Sequence, residues 1–284
     1  MQYGKLYLVA TPIGNLEDIT VRALNVLKEV SLIACEDTRH SLKLFNHFDI
    51  QKPLTSYFEH NKKEKGEYIL SVLKQGQDVA LVTDAGTPAI SDPGEDLVKL
   101  CIKHGIKVVP VPGAAALINA LIISGQDTGR FTFEGFLSMN KKSRNDHLNS
   151  LKDEKRTMIF YEAPHKLTRT LADMKKVFGD RQISIIRELT KLHEECMVLR
   201  LNDAIKYYEE NYPKGEYVLV VSGKSDEEEL NEITEKFASV SIREHVNSLI
   251  EKGLTKKDAI KQASLERGVP RREVYNEYES KKEE

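Results

Sequence analysis

Short apolar runs recur along the chain, bounded by turn residues and separated by stretches with helical spacing. The first set lies at residues 5–10, 32–34, 79–82 and 108–111. Between its first two runs Val21, Leu24 and Leu27 fall on one helical face, and residues 68–73 repeat that pattern before the third. Strands alternating with crossover helices predict a parallel βαβ sheet. A second set, at residues 131–136, 157–161, 182–186 and 217–222 with a helix near 166–177, predicts a second α/β domain. An alanine-rich helix from Ala114 into the Gly125 to Gly129 turn marks the boundary between them.

The reading is therefore an α/β domain over 1–115 and another over 116–224. An acidic stretch follows, and residues 225–240 read as a solvated linker. Residues 241–284 form a tail, in which three short helical patterns, broken at Gly253-Leu254-Thr255 and Gly268-Val269-Pro270, resemble a helix-turn-helix. Small bundles without nucleic-acid function share that pattern.

With 284 residues, 40% hydrophobic and 30% charged, the chain has room for two cores and an appendage. Mean hydropathy is -0.42 and no apolar run reaches membrane length, so a cytoplasmic protein is expected. Cys35, Cys101 and Cys196 lack paired metal spacing and read as reduced thiols, and no metal is expected. A net charge of -2 does not mark a nucleic-acid binder. Local balance differs: residues 141–156 carry six Lys/Arg against three Asp/Glu, and residues 241–272 eight against four. Both are candidates for phosphate contact, although solvated helix faces give the same pattern.

Three small-residue strings stand where strands end. Thr11-Pro12-Ile13-Gly14-Asn15-Leu16 follows the first, Asp84-Ala85-Gly86-Thr87-Pro88-Ala89-Ile90-Ser91-Asp92-Pro93-Gly94 the third, and Pro112-Gly113-Ala114-Ala115-Ala116 the fourth. Open parallel sheets bind ligands at that edge, so together the strings outline one pocket. Backbone amides beside Asp84 suit a zwitterionic amino acid. Neither GxxxxGK[ST] nor GxGxxG occurs, which argues against a P-loop or Rossmann nucleotide site.

The strings LYLVATPIGNLEDIT, ACEDTRHS, VTDAGTPAISDPG, VVPVPGAAA, FEGFL, FYEAPHKL, RELTKLHEE and KGEYVLVVSG resemble the ribosomal RNA small subunit methyltransferase I family of the tetrapyrrole methylase superfamily. The resemblance runs over residues 5–223 in order. It implies two α/β domains with S-adenosylmethionine in the cleft between them. It also implies a homodimer and 2′-O-methylation of a decoding-region cytidine in the 16S RNA of the 30S subunit. Carried over motif by motif, Pro12, Asp84, Ala85, Gly86, Ala89, Ala115, Ala116, Glu162 and Leu189 are the implied cofactor positions, the last two through their backbone. The chain departs from the pattern at Ala114 to Ala116, at Met139-Asn140, and within Cys196 to Leu199, where the family's usual glycine is replaced.

Methyl transfer from a sulfonium is an in-line displacement, so positioning dominates, and a ribose hydroxyl needs a proton acceptor beside it. Candidates are Lys191 as a desolvated base, Glu188 and His165, with Glu36 and Asp37 after a strand. Ion pairing or RNA binding would equally explain their charge. Arg39, Lys141, Lys142 and Arg144 are candidates for phosphate contacts, and Tyr57, Phe58 and His60 for stacking an exposed base, although core packing explains Tyr57 and Phe58 equally well. Two alternatives stand beside this reading: a small-molecule, tetrapyrrole-type methylase, and a noncatalytic RNA-binding protein of ribosome assembly.

Overall fold

A short strand that is apolar at every position needs cover on both sheet faces, and the first sheet supplies it. In the computed structural model, which describes residues 2–280, β2 (Leu32–Cys35) and β4 (Val79–Val82) are buried throughout. Leu32, Ala34, Val79 and Leu81 face one layer, while Ile33, Cys35, Ala80 and Val82 face the other. With β1 (Lys5–Val9), β3 (Leu54–Ser56) and β5 (Lys107–Val111) they form a parallel sheet in the order β3-β2-β4-β1-β5. Helices α1 (Val21–Glu29) and α2 (Thr38–His47) pack on one face, α3 (Lys62–Lys74) and α4 (Gly94–Lys103) on the other.

This arrangement follows from handedness. Right-handed crossovers leave the adjacent strands β1 and β4 in opposite directions, so their helices go to opposite faces. The loops after β1 and β4 part accordingly, opening a crevice at the C-terminal edge.

Helix α5 (Ala116–Ile123) leads from β5 into the second sheet, ordered β6-β7-β10-β8-β9. Its strands are β6 (Phe131–Phe136), β7 (Thr157–Glu162), β8 (Gln182–Arg187), β9 (Glu195–Arg200) and β10 (Tyr217–Val221). β6 and β7 pair in parallel and the other neighbours antiparallel. Alternation again assigns the faces. Met158, Phe160, Ile183, Ile185 and Leu219 pack under α6 (Lys141–Ser150), α7 (Pro164–Phe178) and α8 (Leu201–Glu210), while Ile159, Ile186, Val218 and Val220 pack against α5. The expected α/β class with two sheets is thus present, the second mixed rather than parallel. Two strands went unpredicted: β3, three residues at a sheet edge, and β9, whose positions alternate between half-buried and exposed.

Met1–Gly223 and Lys224–Glu284 are separate compact units. The second is helical: α9 (Asp226–Phe237), α10 (Ile242–Glu251), α11 (Lys256–Arg267) and α12 (Arg271–Glu279). The linker expectation for 225–240 is corrected here, because α9 opens with a capping box between Ser225 and Glu228 and closes on the helical core. Its Phe237 ring stacks on His245, with the Arg267 guanidinium 4.4 Å from the ring centre. High charge had suggested a solvated coil, but a capped helix needs only one apolar edge to dock. Val246, Ile260, Ala263 and Val274 form the centre of this unit. Among the described residues no helix is long and apolar enough to cross a membrane. The three cysteines are free, and burial pushes the Cys35 and Cys101 thiols up to about 11.

Candidate functional site

The loops after β1 and β4 meet through their backbones. Thr11 N–H donates to the Gly86 carbonyl at 2.9 Å and Gly86 N–H to the Thr11 carbonyl at 3.1 Å. Gly86 has φ +83°, and a Cβ there would stand 3.1 Å from Ile13 Cγ2, so the position favours glycine on both counts. The β4 loop then turns through Ala89 (φ 69°) and Ser91 (φ 64°), a left-handed conformation that costs a side-chain-bearing residue free energy. Asp92 holds it there: its Oδ1 accepts from Ala89 N–H at 3.0 Å and Gly94 N–H at 2.7 Å. Its Oδ2 is buried without a protein partner, and burial raises the carboxyl above its ordinary range against those amide bonds.

These loops border a cleft of about 520 Å³, within the roughly 300–1,000 Å³ usual for small-ligand sites. Asp84, Ala85, Gly86, Ala115, Ala116, Glu162 and Leu189, expected at the cofactor site, all line it. Ala89 lies in the wall's turn, and Pro12 lines an adjoining hollow. Ile90, Leu117, Phe136, Ile186 and Val218 supply apolar surface, and Glu36 and Asp84 are among its acidic groups, with Asp92, Glu162 and Glu216. The cleft is lined from both sheets, and Tyr161, from β7, accepts the Leu117 N–H of α5 at 3.2 Å. Glu162 differs from expectation: its buried carboxylate accepts from Ala163 N–H and from the Thr170 hydroxyl. The side chain braces the start of α7, so its identity matters to the fold even if a ligand meets only backbone.

The hollow, about 560 Å³, shares Ile13, Thr83, Asp84, Ala85 and Glu216 with the cleft. Lys191 lines it, with Nζ 2.8 Å from Glu216 and 3.1 Å from Glu188. Burial acts to lower this ammonium, but the two carboxylates outweigh it and hold it above its ordinary value, so the ion pairs work against the base role considered for Lys191. Burial likewise acts to raise Glu188, yet the Glu216 N–H and Lys191 outweigh it and hold the carboxylate charged. Glu188 and Thr190 have φ of 51° and 64°, and the Lys191 stem crosses Gly14, where a Cβ would fall 2.4 Å from Lys191 Cγ. The β8–β9 loop therefore docks on the β1 loop. His165 is exposed in the first turn of α7 and lines neither cavity.

The expected phosphate contacts separate. Lys141 and Lys142 are exposed at the start of α6, and Arg39 is exposed in a two-point pair with Asp37. Arg144 is corrected: only 3% exposed, it bonds Asp173 and the Ser138 and Met139 carbonyls, anchoring the β6–α6 turn. Tyr57 packs in the core beneath the first sheet, while Phe58 and His60 meet edge to face at the surface. His40, Lys43 and His47, which the sequence does not single out as contacts, lie on α2; only the first turn of that helix falls within the ACEDTRHS string.

A two-sheet α/β protein with a ligand cleft across the C-terminal edge of its parallel sheet is the class this geometry defines. The chain belongs to the tetrapyrrole (corrin/porphyrin) methylases, whose family model matches residues 5–205. Among curated proteins it is 50% identical to ribosomal RNA small subunit methyltransferase I of Halalkalibacterium halodurans, over 97% of this chain and 94% of that protein. The protein of the same name from Synechocystis sp. is 49% identical, over 96% of each. The one from Thermotoga maritima is 49% identical over 221 residues, 99% of that protein but 78% of this chain. The solved structure of diphthine synthase superposes with a TM-score of 0.62 at 16% identity, covering 78% of this chain and 91% of that one. Uroporphyrin-III C-methyltransferase of Thermus thermophilus, complexed with S-adenyl homocysteine, gives 0.56 at 16%, covering 77% and 97%.

Proposed function

We propose that this chain transfers a methyl group from S-adenosylmethionine to the ribose 2′-hydroxyl of a decoding-region cytidine in 16S RNA. The observation that carries the reading is near-complete coverage, at about half identity, by proteins named ribosomal RNA small subunit methyltransferase I. The cleft supports the donor. Asp84 and Glu36 suit an ammonium, and the apolar wall of Ile90, Leu117 and Ile186 a purine. When bound, S-adenosylmethionine supplies an electrophilic methyl, and no part of the transfer then needs a covalent enzyme intermediate.

The protein's own contribution is placement. The Thr11–Gly86 bridge and the Gly14–Lys191 contact hold the cleft and hollow edge to edge. Asp84 stands on both linings, with Oδ1 accepting the Asp37 N–H at 3.1 Å, so its carboxylate meets an acceptor entering from the hollow. Lys191, paired with Glu188 and Glu216, ties the β8–β9 loop to the rim of the hollow. The small-molecule alternative lacks a comparable observation. We also place the protein in the cytoplasm as a homodimer. α5 is apolar on nearly every side, yet Ile118, Ile122 and Ile123 are exposed, as a subunit face requires.

The deciding experiment is transfer of labelled methyl to 30S subunits from cells lacking this gene, with mass spectrometry locating the product. A 2′-O-methylcytidine in the decoding region is the expected result. Donor binding without RNA methylation would favour a small-molecule acceptor.

A further inference from the structure

We propose that the exposed face of α2 is the cradle for the backbone phosphates of the acceptor strand; this rests on the RNA reading above. Residues 40, 43, 44 and 47 recur at helical spacing, so one face of α2 carries His40, Lys43, Leu44 and His47 into the wall of the hollow. Phe45 anchors the opposite side in the core, and Ser41, also buried, lies at the edge of the hollow-facing side. His40, Lys43 and His47 are exposed, and none makes an ion pair or side-chain hydrogen bond with a described residue. Neighbouring cations are already engaged: Lys191 by two carboxylates, Arg39 by Asp37, Arg144 by Asp173.

Position 47 lies seven residues beyond 40, about 10 Å along the axis, enough to meet adjacent phosphates of one strand. Across the hollow Pro12, Gly14 and Leu16 present backbone and apolar surface, suited to sugar and base edges. Because the hollow opens on the cleft at Asp84, a strand held on α2 has its ribose edge delivered to the donor side. The ligand class is therefore a polyanion held by charge and hydrogen bonds without base reading.

The test compares wild type with H40Q/K43Q/H47Q on 30S subunits lacking the modification, measuring methyl transfer and equilibrium subunit binding across a salt series. Expected are a KM raised about tenfold or more, a shallower salt dependence, and little change in kcat at saturation. Calorimetric affinity for S-adenosylmethionine stays at the wild-type value, showing an intact fold, and a variant restored at one position by K43R recovers part of the binding. Unchanged KM and salt slope, or loss of kcat alone, overturns the cradle while leaving the RNA reading intact. If wild type itself transfers no methyl to RNA, the reading fails and the cradle with it.

Discussion

The cleft and the hollow share Asp84 and its neighbours, but they are built from different materials. The cleft is walled by strand-end loops held in demanding backbone conformations, at Gly86, Ala89 and Ser91, with few side chains doing chemistry. The hollow is walled by one face of a regular helix, and its character comes from the side chains His40, Lys43 and His47. A donor of fixed shape rewards a rigid backbone mould, whereas a phosphate chain rewards mobile cations at the surface. Damage to the two should therefore separate cleanly in cofactor affinity and RNA affinity.

The largest separation is expected from Gly86→Val. A branched side chain at φ +83° costs about 1–3 kcal/mol of strain and presses on Ile13, so donor affinity by calorimetry should fall on the order of 100-fold. Binding to 30S subunits should change little; equal loss of both would erase the distinction between the two regions. Next is Lys191, at the seam. Its pKa is raised, so the group is protonated below its ordinary 10.5 and loses its proton only above that. Wild-type activity should thus show no rise with pH attributable to Lys191. K191R, which cannot act as a base, should stay within about threefold, and K191M should lose about tenfold in kcat/KM. Near-complete loss of activity in both K191R and K191M would restore the base role.

Glu162→Ala sharpens the cleft side by testing structure rather than binding. It strands the Thr170 hydroxyl and Ala163 N–H, and urea unfolding should show about 1–3 kcal/mol lost, with donor affinity near wild type in the folded fraction. The smallest effect is expected from Lys141→Ala with Lys142→Ala: a few-fold weaker 30S binding and a slightly flatter salt dependence, since these side chains lie on α6, outside the hollow. A loss matching the α2 triple variant would move the main phosphate contact to α6.

Legibility followed the same division. Pro, Gly and Ala strings announced the cleft because left-handed turns and close backbone contacts restrict residue choice locally. The distant partners of Lys191 and Arg144 were not legible because a cation in a sequence carries no sign of them: Glu216 lies 25 residues from Lys191 and Asp173 lies 29 from Arg144. β3 and β9 escaped notice because short or half-exposed edge strands need little apolar pattern, and α9 because capped helices tolerate acidic faces.

By itself, then, the sequence determined the alternation of strands and helices, the positions of the cleft loops and the family, all of which depend on neighbours a few residues apart. Only the tertiary structure decided which charges are spent in ion pairs and which remain free on α2. It also decided that Glu162 braces a helix and that cleft and hollow meet at Asp84. Those outcomes depend on contacts between distant segments, and electrostatic character belongs to the assembled surroundings of a group rather than to the residue.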